Sequence, residues 1–521
     1  MSEALLDVQK LDTHCDCGCE TCRRQKGWLV ELVVKVARAK RTTVSERLVP
    51  SGADGDGHEG PDREESESRR RRGQQPGRPG HGRRRYEHLP IGEEVTLEPP
   101  PAELVCAKCG VPCELVTEGS SAELELEIVV RRRHTRRPAY RPRCQCGRQT
   151  LIQASPRPKL IPKGLLTVGT VAWLVLLKFE LGLPVQRISG MLALTGTELA
   201  PGTVAGVFKR VTPLLEALAA RIRVHTADSP HLHSDETGWR LLGLAREATC
   251  RSCGWLWVLV GHDSVSFRMA RTRATAELAK HLGLDPEHPQ MPADRLLVLS
   301  CDRYSANLSL LRQCPEIVGA LCWAHVRRDF WELREHRSLK AWARAWLERI
   351  GRLYEAHTAW NQAPGPDGST CEQRLHGLVL AALAEIEQTL ERELEAATLP
   401  APALKALVSL DKHWLGLQPA TEVRTIPLDN NPAERALRNP VIVERNCLGS
   451  ASEWSAEMAA AAWTVLGTAK MAGWNPARHL TDYLDACRLA GDVPADLDRF
   501  LPWAASATDH RRWSQSEPDS S

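Results

Sequence analysis

The hydrophobic pattern of this sequence changes its period near residue 230, and this change limits the folds that the chain can adopt. Residues 160–225 place their apolar positions at helical spacing, interrupted by a Thr-Gly-Thr break before Pro201. After residue 230 come three strand-like runs, HLHSDETGWRLLGL, WLWVLVG and VSFRMAR, and then the helical ATAELAKHLG. The apolar run RLLVLS that follows is typical of a strand buried on both faces. Helices and strands in this order predict an α/β fold.

The segments beyond this point extend the same pattern. IVGALCWAH is consistent with a fifth strand that leads into the helical RRDFWELREH. Residues 338–420 are helical again, with Trp342, Trp346, Ile350 and Leu353 on one face. In the earlier helical segment, two helices around a Gly-containing turn form either a helix-turn-helix or an ordinary packed pair, and the pattern leaves both open.

Composition and charge exclude several classes of protein. The chain has 521 residues, of which 26% are charged and 42% hydrophobic, and a formal net charge of +3. Its longest apolar run, Leu165–Leu177, has 13 residues, fewer than the roughly 20 that a membrane span needs. The first residues show no basic flank followed by an apolar core, so we expect no secretory leader. We therefore exclude a membrane protein, a secreted protein and a wholly disordered chain, and expect the 17 cysteines in a reducing cytosol.

Arginines are concentrated in two runs in the N-terminal third. Residues 49–100 are poor in apolar residues and rich in Gly, Pro, Glu and Arg, which predicts a mobile linker. Eight arginines and no carboxylate lie between Arg69 and Arg85, and eight more arginines lie between Arg131 and Arg148. Such runs are either solvated faces or contacts for the phosphates of nucleic acid.

Two close cysteine pairs flank a strand-like stretch of about 34 residues. The pairs are Cys106 with Cys109 and Cys144 with Cys146. Four thiolates on turns can hold a tetrahedral zinc ion, which predicts a zinc module over residues 101–152. The second pair has one intervening residue instead of two, so Cys113 and His134 are alternative ligands.

Two other cysteine groups leave their role open. The first lies in a Cys-rich N-terminal segment, residues 1–48, in which a short helix is also predicted. It consists of His14, Cys15, Cys17, Cys19 and Cys22. This group is either a metal site or an oxidation-prone tail. The second is Cys250 with Cys253, which lies on a turn between strand runs and lacks a second pair.

Three carboxylates lie where metal chemistry would require them. Asp235 is in the first strand run, Asp302 follows the buried strand, and Glu434 lies near the start of a helix that NNP opens. An acid at the end of a buried strand is costly unless it is paired or binds a cation. If the three meet at one edge, their oxygens can hold two divalent ions about 4 Å apart, the arrangement used for phosphoryl transfer. Otherwise each is an ordinary cap or salt-bridge partner.

Four motifs in order resemble those of the insertion-sequence-66 family of transposases: HSDETGWR, LLVLSCDRYSAN, ALCWAHVRRDFWEL and LDNNPAERALR. Further matches are RRGQQPGRPGHGRRRY, LPVQRISGML, TAKMAGWNPARHLTDYL and DLDRFLPW, so the resemblance extends from about residue 70 to residue 503. It implies a DDE recombinase in which Asp235, Asp302 and Glu434 are the catalytic acids, and it explains residues 338–420 as a helical insertion between the last two.

The resemblance implies an α/β architecture: a ribonuclease-H-like catalytic core with a helical insertion, preceded by a zinc-binding module and a helical DNA-binding region. Its segments are the Cys-rich segment 1–48, the linker 49–100, the zinc module 101–152, the helical region 160–226, the catalytic domain 227–442, a C-terminal helical region 443–505 and a disordered tail 506–521.

The family's activity is the cutting of element ends and the joining of the freed 3′-hydroxyl to target DNA, with two Mg²⁺ or Mn²⁺ ions. The expected partners are the terminal inverted repeats, target DNA, further copies of the chain in a synaptic complex and accessory proteins of the same element, in the bacterial cytoplasm and without a membrane. Two alternatives are a non-catalytic DNA-binding regulator derived from a transposase and a metal-dependent nuclease without strand transfer.

Other positions acquire expected roles from the same resemblance. The arginines expected at DNA are Arg83, Arg84, Arg85, Arg131, Arg132, Arg133, Arg327 and Arg328. The last two, on a helix, either touch DNA or form salt bridges. Cys322 and His325 match a cysteine–histidine pair of such transposases, for which we expect a structural or supporting part, with zinc binding as the alternative. The chain departs from the family at Glu444, which precedes Arg445 and Asn446 where the family usually shows Arg-Lys-Asn, so a phosphate contact there is in doubt.

Overall fold

A computed structural model describes residues 151–242, 254–292, 295–364, 368–396 and 399–514, together with residues 96, 99–100, 104, 108–112, 129–141 and 143. The chain separates into two compact units, and one of them contains residues 133–514 with all the helices and strands given below. The predicted Cys-rich segment and nearly all of the predicted linker lie outside the described residues.

Three helices occupy the segment where the helical period predicted them, which confirms that prediction. They are α1 Val168–Phe179, α2 Val185–Leu194 and α3 Pro201–Ala227. The Thr167 side chain accepts a hydrogen bond from the Thr170 N–H at the start of α1, and α3 begins with a proline, whose φ suits a first turn. A short antiparallel pair precedes them, β1 Ala139–Tyr140 and β2 Ile152–Gln153.

A mixed five-stranded sheet lies at the centre of this unit, and it confirms the predicted α/β class. Its strands are β3 His231–Trp239, β4 Gly254–Val260, β5 Val265–Ala270, β6 Leu297–Cys301 and β7 Ile317–Leu321. The order across the sheet is β5-β4-β3-β6-β7. The strands β3, β4 and β5 pair antiparallel, whereas β3, β6 and β7 pair parallel.

Two helices connect the later strands, since a parallel neighbour can be reached only by a crossover. The first, α4 Thr275–His281, lies between β5 and β6 where the sequence predicted a helix. The second, α5 Ser305–Gln313, lies between β6 and β7 and is absent from the sequence prediction. It buries only Ala306, Asn307 and Leu310, a stripe too narrow to produce a clear apolar period.

The predicted fifth strand is longer than the observed one, which is a correction. β7 ends at Leu321, and α6 runs from Trp323 to Glu332, so the CWAH part of the motif forms a helix cap and first turn. The Trp323 N–H donates to the Leu428 carbonyl at 2.8 Å, which draws the chain out of the sheet. A short apolar run does not distinguish a strand from a buried helix start.

The predicted insertion is mostly helical in its described residues. Its helices are α7 Lys340–Asn361, α8 Thr370–Glu395, α9 Ala401–Lys412, α10 Trp414–Leu417 and α11 Pro419–Glu422. The apolar face predicted for α7 is confirmed, because Trp346, Ile350 and Leu353 are fully buried and Trp342 is partly buried.

Four helices complete the chain. They are α12 Asn431–Cys447, α13 Glu453–Met471, α14 Pro476–Ala490 and α15 Ala507–Trp513. The prediction of a disordered tail from residue 506 is wrong as far as α15 extends. Trp513 is fully buried, with its ring 4.8 Å from that of Trp474 and 5.8 Å from that of Phe500. Residues 515–521 lie outside the described residues.

Helices cover both faces of the sheet and produce two apolar cores. Leu232 and Trp257 face a core that includes residues of α4 to α11. Trp239 and Val258 face the other core, which is built with α1 to α3 and α12 to α15. The sheet is therefore the middle of three layers, and a side chain at its centre is shielded from water. None of the described helices has the length and apolar character that crossing a membrane requires.

Candidate active site

Two aspartates lie near the same end of two adjacent parallel strands. β3 pairs with β6 in a register whose last pair is His233 with Ser300, and each aspartate lies two residues further along its own segment, Asp235 within β3 and Asp302 after β6. Adjacent strands lie about 4.8 Å apart, so the two side chains leave the backbone close together. β6 ends at Cys301, which places Asp302 directly after the strand, as the sequence indicated.

The protein holds one oxygen of each aspartate. Asp302 Oδ1 accepts a hydrogen bond from the Tyr304 N–H at 2.9 Å and another from Asn307 Nδ2 at 2.7 Å. Asn307 is fully buried in the first turn of α5, so its amide is a fixed donor. Asp235 Oδ1 accepts a hydrogen bond from the Glu236 N–H at 2.9 Å.

Glu434 comes close to these aspartates because the start of α12 is attached to β3. Asn430, which is buried, donates from Nδ2 to the Ser234 carbonyl at 2.8 Å, and its Oδ1 lies 3.1 Å from His233 Nδ1. Ser234 directly precedes Asp235 in the strand. One amide side chain therefore joins the strand of the first acid to the helix of the third.

The carboxylates at this edge repel one another. Burial, the charge of Glu236, and the charges of Asp302 and Glu434 raise the pKa of Asp235 to about 7. Burial and the charge of Glu434 also raise the pKa of Asp429, whose carboxylate accepts hydrogen bonds from Asn431. The edge thus collects negative charge from three separate elements, an arrangement that a bound cation would stabilise.

Glu236 is an acid beside Asp235 to which the sequence analysis assigns no role. Successive strand residues point to opposite faces, so its side chain leaves the face of Asp235 and is buried in an ion pair with Arg273. The Arg273 guanidinium also lies 3.3 Å from the ring centroid of Tyr304 and 4.8 Å from that of Trp255. Arg273 therefore neutralises Glu236 and packs on the residue whose N–H holds Asp302.

A known protein family matches this part of the chain. The sequence profile of the Transposase IS66 family matches residues 163–458, more than half of the chain and all three acids. The chain belongs to the Transposase IS66 family.

Similar proteins occur in Sinorhizobium fredii. The uncharacterized protein y4qI is 26% identical over 461 residues, which cover 84% of this chain and 80% of that protein. The uncharacterized protein y4jD is 25% identical over 434 residues, or 80% of each chain. The uncharacterized protein y4hP is 25% identical over 433 residues, or 79% of this chain and 74% of its own. The similarity to all three therefore extends well beyond a single motif.

In this member of the IS66 family, the cysteine–histidine pair lies beside the third acid. The ligand atoms of Cys322, His325 and Glu434 all lie within 4.8 Å of one another. Burial raises the pKa of Cys322 to about 11, although the N–H groups of His325, Asn430 and Ala324 oppose that shift. Burial lowers the pKa of His325, whose Nδ1 is buried without a hydrogen-bond partner.

Glu444, at which the chain departs from the family pattern, forms an ion pair with Arg240. The Glu444 carboxylate accepts a hydrogen bond from Arg240 Nε at 2.6 Å, just beyond the end of β3. Backbone hydrogen bonds of Ser450 with Arg240 and Leu242 attach the chain after α12 to the same place. Glu444 therefore fastens α12 to the strand that carries Asp235, and this explains a carboxylate at the position.

The structure describes only some of the residues that are expected to contact DNA or zinc. Arg327 and Arg328 are exposed on α6, and neither has an ion-pair partner among the described residues. Arg131, Arg132 and Arg133 are exposed, as are Cys109 and His134. The other expected residues lie outside the described ones: Arg83, Arg84, Arg85, Cys106, Cys113, Cys144, Cys146, the Cys15–Cys22 group, Cys250 and Cys253. The zinc module remains a prediction.

Proposed function

We propose that the chain is a DDE-type DNA transposase that cuts the ends of a bacterial insertion sequence and joins the 3′-hydroxyl to target DNA. One observation carries this proposal: Asp235, Asp302 and Glu434 interact electrostatically at one sheet edge in a chain of a transposase family. Carboxylates that converge from two strands and a helix have the chemistry that metal-dependent phosphoryl transfer needs.

A ribonuclease-H-like sheet is part of the same proposal. The strand order β5-β4-β3-β6-β7, with three antiparallel strands followed by two parallel ones, supports this assignment. It is further supported by the positions of two acids, Asp235 in β3 and Asp302 directly after β6, the parallel neighbour of β3. The third acid then comes from a helix after the insertion, on the face opposite the insertion core.

The donor set fits hard divalent ions, because all three ligands are carboxylates. Asp235, Asp302 and Glu434 would hold two Mg²⁺ or Mn²⁺ ions, which supply an activated nucleophile and stabilise the leaving oxygen. The protein's own contribution is orientation. Tyr304 and Asn307 hold one oxygen of Asp302, while Asn430 sets the helix of Glu434 against β3.

DNA binding is proposed for the basic segments rather than for the acidic edge. Arginines 83–85, 131–133, 327 and 328 would contact phosphates of the terminal repeats or the target. A zinc module over residues 101–152 would display the second of these groups on a rigid support. A synaptic oligomer, accessory proteins of the same element and a cytoplasmic location complete the proposal.

Strand transfer by the purified full chain on its own element ends tests the function. With Mg²⁺ present, we expect joined donor–target products. Asp302→Asn should reduce them by about two orders of magnitude or more, because an amide neither carries the charge nor binds a hard ion comparably. Asp329→Asn is the matched control: Asp329 is on α6 in an ion pair with Arg303, so its loss should leave most of the joining activity.

Each alternative outcome has a distinct meaning. Equal joining by Asp302→Asn and the unaltered chain would show that the acids are assigned wrongly. Cleaved ends that are never joined would identify a nuclease. Specific binding of terminal repeats by an unaltered chain that neither cuts nor joins would identify a DNA-binding regulator.

A further inference from the structure

A sulfur and an imidazole lie beside one carboxylate of the proposed active site. The ligand atoms of Cys322, His325 and Glu434 are within 4.8 Å of one another. Cys322 caps α6, His325 lies in its first turn, and Glu434 lies in the first turn of α12. Tetrahedral bonds of about 2.0–2.3 Å to one ion require donor separations of roughly 3.3–3.8 Å, so the side chains would have to draw together by at most about 1.5 Å.

The Cys322 sulfur is buried at the start of α6 and has one backbone donor among the described residues. The Asn430 N–H donates to Sγ at 3.3 Å. Burial favours the neutral thiol in the ion-free protein, whereas this donor stabilises a negatively charged sulfur more than a neutral one. A metal ion would keep the sulfur in that charged form.

The hydrogen-bonding capacity of the His325 ring is also only partly used by the described residues. His325 Nδ1 is buried without a hydrogen-bond partner, a situation that costs free energy. Burial, and after it the charge of Arg328, lowers the pKa of His325, while the charges of Asp302 and Glu434 oppose that shift, so the ring lies near both a cation and the acidic edge. A neutral imidazole in this position can donate a lone pair to an ion.

We propose that Cys322, His325 and Glu434 bind one borderline divalent ion of the Zn²⁺ class, at a position separate from that between Asp235 and Asp302. Thiolate and imidazole select such an ion over Mg²⁺, which prefers oxygen. On binding, the Cys322 thiol releases its proton to solvent. Three protein ligands leave a fourth coordination position open.

Sharing of Glu434 couples this site to catalysis. An ion held by Cys322 and His325 withdraws Glu434 from the ions at the aspartates, so Zn²⁺ inhibits strand transfer in the presence of Mg²⁺. This consequence rests on the proposed function, whereas ion binding at the cluster does not.

Cobalt substitution of the full chain tests the binding. Co²⁺ bound to a thiolate produces an intense charge-transfer absorption, and carboxylate-bound Co²⁺ does not. Other cysteine groups can also bind Co²⁺. The experiment therefore compares the amount of bound Co²⁺ and the absorption of each variant with those of the unaltered chain. We expect His325→Ala and Cys322→Ser each to bind one equivalent fewer and to lose part of the absorption. Glu434→Gln should raise the dissociation constant of the Co²⁺ ion at this site by about tenfold or more.

Two controls keep the result interpretable. Cys314→Ala removes another buried cysteine and should keep every Co²⁺ equivalent and the full thiolate absorption. Because Cys322 is buried, His325→Ala is the decisive variant, and its circular dichroism must match that of the unaltered chain. An unchanged number of Co²⁺ equivalents and an unchanged spectrum in His325→Ala would overturn the proposal.

The catalytic consequence needs a separate measurement. In strand transfer with Mg²⁺, the Zn²⁺ concentration for half inhibition should rise at least about tenfold in His325→Ala, relative to that variant's own activity without Zn²⁺. Equal sensitivity to Zn²⁺ in both proteins would contradict the coupling. If no strand transfer occurs in any protein, the proposed function fails while the cobalt result still decides the site.

Discussion

Individual acids at the sheet edge differ in how the fold compensates their charge. Glu236 has the Arg273 guanidinium, and Glu444 has that of Arg240. Asp235 instead meets like charges, which together with burial raise its pKa to about 7. Glu236 and Glu444 thus each have a cationic partner, whereas the charged neighbours that act on Asp235 are carboxylates.

The raised pKa of Asp235 predicts a pH dependence of stability in ion-free protein. The folded state binds this proton more tightly than the unfolded state, whose carboxyl titrates near 3.8, so the stabilisation is complete below about pH 4 and lost as pH rises through 7. Asp235→Asn should therefore raise the free energy of unfolding at pH 8 by on the order of 2–4 kcal/mol and by little at pH 4.

Urea unfolding with EDTA at several pH values measures this difference. Asp485→Asn is the control, since Asp485 forms a partly exposed ion pair with Arg488 within α14. Its effect should not change between pH 5 and pH 8. Parallel pH profiles for Asp235→Asn and the unaltered chain would contradict the prediction.

Asn430 predicts a second residue-level effect. Its truncation in Asn430→Ala leaves the Ser234 carbonyl and His233 Nδ1 without their partner inside the protein. The free energy of unfolding should fall by about 2–4 kcal/mol, as measured by denaturant unfolding. The neighbouring Asn431 is exposed, so Asn431→Ala should cost less than about 1 kcal/mol. Equal losses for the two variants would show that Asn430 does not join β3 to α12 as described.

At the scale of elements, α12 is fastened to β3 at both ends. Asn430 attaches its start, and the Glu444–Arg240 pair attaches its last turns. The turn that follows passes so close to β3 that a Cβ on Gly449 would lie 2.2 Å from the Arg240 carbonyl oxygen. The position of Glu434 relative to Asp235 therefore depends on contacts at both ends of this helix.

Gly449→Ala tests this attachment. Gly449 has φ +89°, and the added methyl group meets backbone that cannot move aside freely, so we expect a loss of about 2–3 kcal/mol in the free energy of unfolding. Gly351→Ala is the matched control within helix α7, where a Cβ meets no atom within 4 Å. It should be neutral or stabilising by up to about 1 kcal/mol. A similar loss in the free energy of unfolding for both substitutions would contradict the prediction.

For the whole molecule, the distribution of charge along the chain is more informative about DNA binding than the net charge. A net charge of +3 is small for a protein expected to bind DNA. The two arginine runs without carboxylates lie before residue 150, whereas the sheet edge collects acids. The proposed DNA binding and the proposed catalysis are therefore assigned to regions of opposite charge in one chain.

The arginine run at residues 83–85 predicts a salt dependence. Replacing all three with serine should weaken binding to terminal repeats and reduce the slope of log K against log salt by about 1–3, because each lost phosphate contact removes roughly 0.9. Fluorescence anisotropy across a salt series measures the slope.

A matched control removes the same charge elsewhere. It replaces Arg221, Arg488 and Arg499, which form ion pairs with Asp498, Asp485 and Asp509. This triple variant should keep the slope of the unaltered chain. Equal slopes in both triple variants would remove the assigned role of residues 83–85.

Local pattern was sufficient for much of the fold. The change of period at residue 230 predicted the helices before it and the strands after it, and the position after RLLVLS placed Asp302 at a strand end. These features depend on which neighbours along the chain are apolar. The helix α5 and the buried α15 escaped prediction, because one has a narrow apolar stripe and the other depends on Trp513 meeting Trp474 and Phe500.

The sequence by itself determined the fold class, the order of most of the elements and the three acids worth testing. Only the tertiary structure decided which charges are already paired. It assigned Arg273 to Glu236 and Arg240 to Glu444, and it brought Cys322 and His325 to Glu434 from more than a hundred residues away. The reason is physical: hydrophobic periodicity is a property of adjacent residues, whereas ion pairs and ligand clusters form between side chains that meet only after the layers have packed.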